Sequence, residues 1–241
     1  MLTLVELSRI AAKRQTRVDN TVREYVQSLL LSSLYRFRDS EHIFFKGGTA
    51  LRLIFQSPRF SEDLDFTGYS LRPKVIVNIL ENTLVEVERS GVSVSLSEAK
   101  TTTGGYLGIL IYDLHGFKGE IRVEISLRIA VRKRGELTTI IGDYTVPYTL
   151  LHLPVKDMVY EKIQALLRRG KPRDYYDLYF ILRHPDLNRY VGKENLCLVR
   201  KRLSKETFDF RKELKLLLPV SHHGIIRNFK DVLKKELDRY P

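Results

Sequence analysis

Asp63 and Asp65 stand two residues apart in Arg59-Phe60-Ser61-Glu62-Asp63-Leu64-Asp65-Phe66, where acids and apolar residues alternate. That alternation predicts a strand with one apolar face and one functional face. On such a strand the two carboxylates would lie on one face, about 6.5–7 Å apart at ~3.3 Å rise per residue. Paired carboxylates share hard cations such as Mg²⁺, the usual clamps for nucleoside triphosphates. Just upstream, Lys46-Gly47-Gly48-Thr49-Ala50-Leu51-Arg52-Leu53 places a glycine pair at the mouth of a predicted helix. Glycine lets backbone amides approach a phosphate closely, and the helix turns unpaired N–H groups and a positive dipole end toward it. Thr49 adds a hydroxyl and Lys46 a positive charge. Each piece alone has an ordinary explanation, a plain strand-to-helix turn or a pair of surface acids. Together they point to nucleotidyl transfer.

Two further groups belong to this chemistry. Glu124, in Ile121-Arg122-Val123-Glu124-Ile125-Ser126, sits on an alternating strand that could lie beside the Asp63 strand. It would then join the same metals; as a solvent-facing residue it would instead pair with Arg122 or Arg128. The run from Glu161 to Tyr179 holds Lys162, a cation suited to a transition state that gathers phosphate charge. It also holds Asp174 and Asp177, which would orient Lys162 or Arg173, or bind the acceptor. Asp174 has a structural role open to it as well, as the cap of a helix that starts after Gly170 and Pro172.

The elements that must position these residues follow from hydropathy. Residues 2–13 and 18–37 read as helices, the second capped by Asp19 or Asn20. His42 to Lys46 reads as a short buried strand, followed by a helix from Thr49 to Phe55 and a strand over 63–66. A helix over 73–89 stops at Gly91, and three strands follow at 92–99, 106–114 and 120–129, with glycines at the turns. Character changes around Pro147–Pro154, after which 155–169, 174–184 and the remainder read as helices. The expectation is an α+β fold with a catalytic region over 1–150, N-terminal helices included, and a helical region over 151–241.

Composition narrows the classes. The chain has 241 residues, 43% hydrophobic and 29% charged, which is ample for a folded core. Its apolar runs are far short of a membrane span, and no signal-peptide hydrophobic region opens it. The single cysteine, Cys197, leaves no intramolecular disulfide and no cysteine-rich zinc site. A cytoplasmic location is expected. The net charge of +12 predicts a polyanionic partner, with nucleic acid the first candidate. The visible basic clusters are 128–134, 168–173 and 200–205.

The four pieces Lys-Gly-Gly-Thr-Ala-Leu-Arg-Leu, Arg-Phe-Ser-Glu-Asp-Leu-Asp-Phe, Glu-Lys-Ile-Gln-Ala-Leu and Arg-Asp-Tyr-Tyr-Asp-Leu span residues 46–179. In content and order they resemble the AbiEii/AbiGii toxin family of nucleotidyltransferases, within the DNA polymerase β-like superfamily. The resemblance implies a nucleotidyltransferase-fold mixed sheet with flanking helices, followed by a helical domain. It implies transfer of a nucleotide from an NTP with two Mg²⁺ or Mn²⁺ ions, in a toxin that acts beside a separate antitoxin, with tRNA as the acceptor for some relatives. By motif position Ser61, Asp63 and Asp65 match the second piece, Lys162 the third, and Asp174 with Asp177 the fourth. Gly47, Gly48, Thr49 and Lys46 would then bind nucleotide together with Ser61, while Asp63, Asp65 and Glu124 would hold metal. The rival readings are transfer to a protein or small molecule, and an inactive nucleic-acid-binding protein. Both carboxylates and both glycines are present, which argues against an inactive site.

Overall fold

A computed structural model describes residues 1–128 and 134–240. The chain forms two compact units. One comprises residues 1–56 with 60–153, and the other residues 154–241 with 57–59.

The first unit opens with helices α1 (Leu4–Lys13) and α2 (Val18–Leu34). Thr3 caps α1 in a reciprocal box with Glu6. The expected cap of α2 is corrected. The helix begins at Val18 behind Arg17, and the Asp19 carboxylate accepts from the Asn20 amide and from Arg17 Nε. Strand β1 (Ile43–Lys46) runs directly into α3 (Gly47–Ile54), and β2 (Leu64–Tyr69) follows. Helix α4 (Pro73–Arg89) starts with proline in its first turn, where the missing N–H costs nothing. The meander is β3 (Ser93–Thr102), β4 (Gly105–Leu114) and β5 (Phe117–Arg128). Two strands that hydropathy does not predict complete the sheet, β6 (Glu136–Ile140) and β7 (Tyr148–His152).

Among the described residues the sheet has seven strands in the order β3-β4-β5-β2-β1-β7-β6. It is mixed: β2 pairs parallel with β5 and antiparallel with β1, and β1 pairs parallel with β7. Strand β5 shows how the two faces divide. Ile121, Val123 and Ile125 are buried, whereas Glu120, Arg122 and Glu124, which alternate with them, are exposed. Leu64 and Phe66 continue the buried set on β2, in register with Val123 and Ile125. Helices α2 and α4 pack on each other and against β5 and β3, and α3 packs against β1 and β2.

The second unit holds α5 (Val155–Arg169), α6 (Pro172–Arg183), α7 (Lys193–Lys205), α8 (Phe210–Leu217), α9 (His223–Arg227) and α10 (Phe229–Leu237). Gly170 ends α5 in a left-handed conformation (φ +56°) and Pro172 opens α6. Tyr175, Tyr176, Phe210 and Phe229 make an aromatic core, with Tyr176–Phe229 centroids at 5.8 Å and Phe210–Phe229 at 5.0 Å. No helix among the described residues is long and apolar enough to cross a membrane.

Candidate active site

The strand register builds a polar row across the sheet. Lys46 on β1 stands opposite Asp65 on β2, and Asp65 stands opposite Glu124 on β5. Register partners on neighbouring strands present their side chains to one face. Lys46, Asp65 and Glu124 therefore share a face, and Lys46 Nζ reaches toward Ser126 Oγ at 3.5 Å. Where the chain leaves β1, Gly47 adopts φ +86°. A Cβ at this position would stand 2.0 Å from Asp65 Oδ2 and 2.7 Å from Asp65 Cβ and Cγ. Glycine is required here twice over, by the backbone conformation and by the carboxylate that occupies the space. The start of α3 and the Asp65 carboxylate are thus pressed together.

Asp63 precedes β2 by one residue and is half-buried. The segment that carries it is held by side chains from the helix layer. Gln27 Nε2 on α2 donates to the carbonyls of Ser61 at 3.1 Å and Glu62 at 3.0 Å. Thr49, expected from sequence to be a nucleotide contact, is buried, and its hydroxyl donates to the Asp63 carbonyl. That bond ties α3 to the backbone at Asp63. One turn further along α3, Arg52 Nε donates to Glu24 Oε1 at 2.5 Å, and its guanidinium lies 4.0 Å from the Phe60 ring centroid. Glu24 is itself buried on α2 and also accepts from Arg14 and from Tyr144 Oη. Burial, followed by the Glu24 charge, pushes the Tyr144 phenol well above its usual range, so it remains a donor to Glu24. Helix α2 therefore anchors the glycine helix through Glu24 and the Asp63 segment through Gln27.

Glu24 and Gln27 are positioning residues that reasoning from sequence misses. They lie three apart on one helix face, a spacing that signals shared direction but says nothing of partners 28 to 35 residues away.

The donor set fits a hard divalent cation. Asp63, Asp65 and Glu124 offer only oxygen ligands, and Asp65 and Glu124 face the same side of adjacent strands. Among the described residues no preformed group of three or more His, Cys, Asp or Glu side chains is drawn together as a closed metal cage.

In the helical unit, buried Arg59 and Asp177 form a triad with the partly buried Lys162. Arg59 Nε and Nη2 donate to Asp177 Oδ1 and Oδ2 at 2.7 and 3.0 Å, and Lys162 Nζ donates to Oδ2 at 2.8 Å. Burial alone would raise the Asp177 pKa, but Arg59 and then Lys162 outweigh it and hold the carboxyl at about 2. Asp174 is also buried. It receives Arg169 through two bonds of 2.9 and 2.8 Å and the Lys171 amide at 3.1 Å, tying the end of α5 to the start of α6. Asp177, then, is the acid that meets Lys162, while Asp174 caps and joins helices.

The basic segments are partly committed to structure. Arg169 binds Asp174, Arg173 approaches Glu213 at 3.7 Å, Arg200 donates to the Leu237 and Tyr240 carbonyls, and Arg202 donates to the Leu167 carbonyl. Arg168, Lys171, Lys201 and Lys205 are exposed. Of the 128–134 cluster, residues 129–133 lie outside the described residues.

The mixed sheet with its flanking helices, with a helical region after it, is a nucleotidyltransferase fold. The sequence profile described as "Nucleotidyl transferase AbiEii toxin, Type IV TA system" matches residues 29–239, and the chain belongs to that family. Among solved structures, JHP933 from Helicobacter pylori is similar at a TM-score of 0.59 and 18% identity, over 93% of this chain and 95% of that one. A candidate nucleotidyltransferase from H. pylori is similar at a TM-score of 0.59 and 19% identity, over 91% and 96%. At these identities the likeness speaks for the fold. No curated protein gives a significant match.

Proposed function

We propose that this protein is a metal-dependent nucleotidyltransferase that moves a nucleotide from an NTP to an RNA acceptor, with tRNA favoured, as the cytoplasmic toxin of a system with a separate antitoxin. The observation that carries the reading is the row Lys46, Asp65, Glu124, with Gly47 packed against the Asp65 carboxylate. Asp63, Asp65 and Glu124 would hold Mg²⁺ or Mn²⁺, which when bound supplies charge to the triphosphate and acidifies the acceptor hydroxyl.

The chain's own residues would do the remaining work by position and charge. The first amides of α3, at Gly47 and Gly48, donate to phosphate oxygens, with Lys46 beside them in sequence and Ser61 in the segment before β2 as further contacts. Thr49 and Gln27 keep the Asp63 backbone fixed, which lowers the reorganisation needed when substrate arrives. Lys162 donates to a phosphate oxygen whose charge grows as pyrophosphate leaves, and Asp177 keeps its ammonium in place. The net charge of +12 and the exposed Arg168, Lys171, Lys201 and Lys205 support a polyanionic acceptor.

The test is incubation with each α-labelled NTP, Mg²⁺ and total cellular RNA, with Asp63→Ala and Asp65→Ala as controls. Label should enter a tRNA-sized band and vanish in both variants. Label in protein, or no transfer by the folded parent with any NTP, would overturn the RNA reading or the transferase reading respectively.

A further inference from the structure

Arg59 lies in the second sequence piece, two residues before Ser61, yet the segment 57–59 belongs to the helical unit. Its side chain is 3% exposed, and Nε and Nη2 both donate to Asp177. Burying an arginine is expensive and is compensated only by close, well-aligned partners. Arg59 has such a partner. Asp177, however, is shared: Oδ2 accepts from Arg59 Nη2 and from Lys162 Nζ together. Two cations and one carboxylate leave these three groups with a net charge of +1; Asp174 and Glu213, which also act on Arg59, have arginines of their own in Arg169 and Arg173. A Lys162–Asp177 pair alone would be neutral.

We propose that Arg59 is a positioning residue that keeps Lys162 electropositive toward a triphosphate, by occupying Asp177 through a two-point contact. The assignment deepens the proposed transfer function and rests on Lys162 meeting phosphate. Two consequences of the geometry support it. The fork fixes the plane of the carboxylate, so Oδ2 presents one direction to the lysine. The second cation also takes part of the carboxylate's charge, so the ammonium is not fully spent on its anchor. The side chain of Lys162 is 11% exposed, enough for a tip to meet a ligand and too little for the stem to wander.

A plain structural ion pair would explain the burial equally well, so the test must separate stability from action through Lys162. Arg59→Lys keeps the charge and loses the fork; Arg59→Gln loses both. Each is made in the parent and in Lys162→Ala, and three quantities are read: melting temperature, affinity for inorganic tripolyphosphate with Mg²⁺, and single-turnover transfer from NTP. Arg59→Lys should fold, and should lower tripolyphosphate affinity and turnover about tenfold in the parent. In Lys162→Ala the same change should leave both nearly unaltered, while the loss in melting temperature persists. Such non-additivity marks one residue acting through another. Equal losses of affinity and turnover in both backgrounds would overturn the assignment, as would unchanged values in the parent. If Arg59→Gln does not fold, Arg59→Lys alone decides. If the folded parent transfers nothing from any NTP, the transfer function fails by itself. The Arg59 assignment is then judged on tripolyphosphate, where affinity equal in the parent and Arg59→Lys overturns it.

Discussion

Replacing Gly47 with alanine tests the central geometry of the sheet site. The substitution adds one methyl group at φ +86°, where an L-residue is strained by about 1–2 kcal/mol. The methyl would begin 2.0 Å from Asp65 Oδ2, against the 3.4 Å of ordinary contact. Either the carboxylate retreats by about 1.4 Å or the turn moves, and such overpacking costs typically about 1–3 kcal/mol. The combined loss is about 2–5 kcal/mol, a fall in melting temperature of roughly 4–20 °C for a chain of this size. A carboxylate displaced by more than ~1 Å should also lower turnover by about 10²-fold. The decisive measurement is Gly47→Ala in an Asp65→Ala background. Removing Oδ2 and Cγ relieves two of the three close approaches and leaves the one to Cβ at 2.7 Å. The stability cost of Gly47→Ala should therefore shrink, by about 1 kcal/mol or more. An identical cost with and without the Asp65 carboxylate would refute the claim that glycine is there for the acid.

Gln27→Ala removes two donors to the segment before Asp63, so it should cost about 1–3 kcal/mol and lower transfer more than NTP binding, as comparison of kcat with KM would show. Asp177→Asn removes the one carboxylate that pairs directly with both buried Arg59 and partly buried Lys162, which should destabilise the protein by about 3–5 kcal/mol in a denaturant titration at pH 7. Because folding depresses the Asp177 carboxyl from 3.8 to about 2, its stabilisation is complete above about pH 4 and is lost as pH falls toward 2. Melting curves of the parent between pH 5 and 2 should show that acid limb, and those of Asp177→Asn should show a shallower one. Arg168→Ala with Lys171→Ala should flatten the salt dependence of RNA binding, by about 0.7–0.9 in logarithmic slope for each phosphate no longer neutralised, while Mg²⁺–NTP affinity stays at the parent value. A salt-independent RNA affinity in the parent would remove the electrostatic basis for an RNA acceptor.

The parts of the fold written in local pattern were legible. Helix α4 is marked by proline at its start and Gly91 (φ +89°) after its end, and β5 by strict alternation. The mixed α+β class followed from such elements. Strands β6 and β7 were not visible because each has five residues, and Pro147 and Pro154 bracket β7 with the signals of a loop. The start of α2 misleads for a different reason: Asp19 has the chemistry of a cap, but it sits inside the helix and bonds its neighbour's amide. At the candidate site, residue type and spacing suggest which side chains could do chemistry. They do not suggest what holds those side chains. Thr49 reads as facing a phosphate because hydroxyls beside glycine turns suit that task. Its bond to the Asp63 carbonyl spans 14 residues and depends on how α3 meets β2. Gln27, Glu24 and Arg59 act over still longer separations, and periodicity carries no record of such partners.

The bond between Arg59 and Asp177 spans 118 residues. During synthesis the chain therefore presents the guanidinium long before its carboxylate exists. The helical unit cannot complete its charge balance until α6 has emerged, however early the sheet strands can pair. A fragment beginning at Pro154 would contain helices α5 to α10 and still lack the residue that neutralises Asp177 from its second side. Expressed alone, that fragment should melt lower than the same unit in the full chain, and a peptide carrying residues 57–59 is the missing piece. The helical unit is thus compact in space and split in sequence, so no single cut of the chain releases it whole.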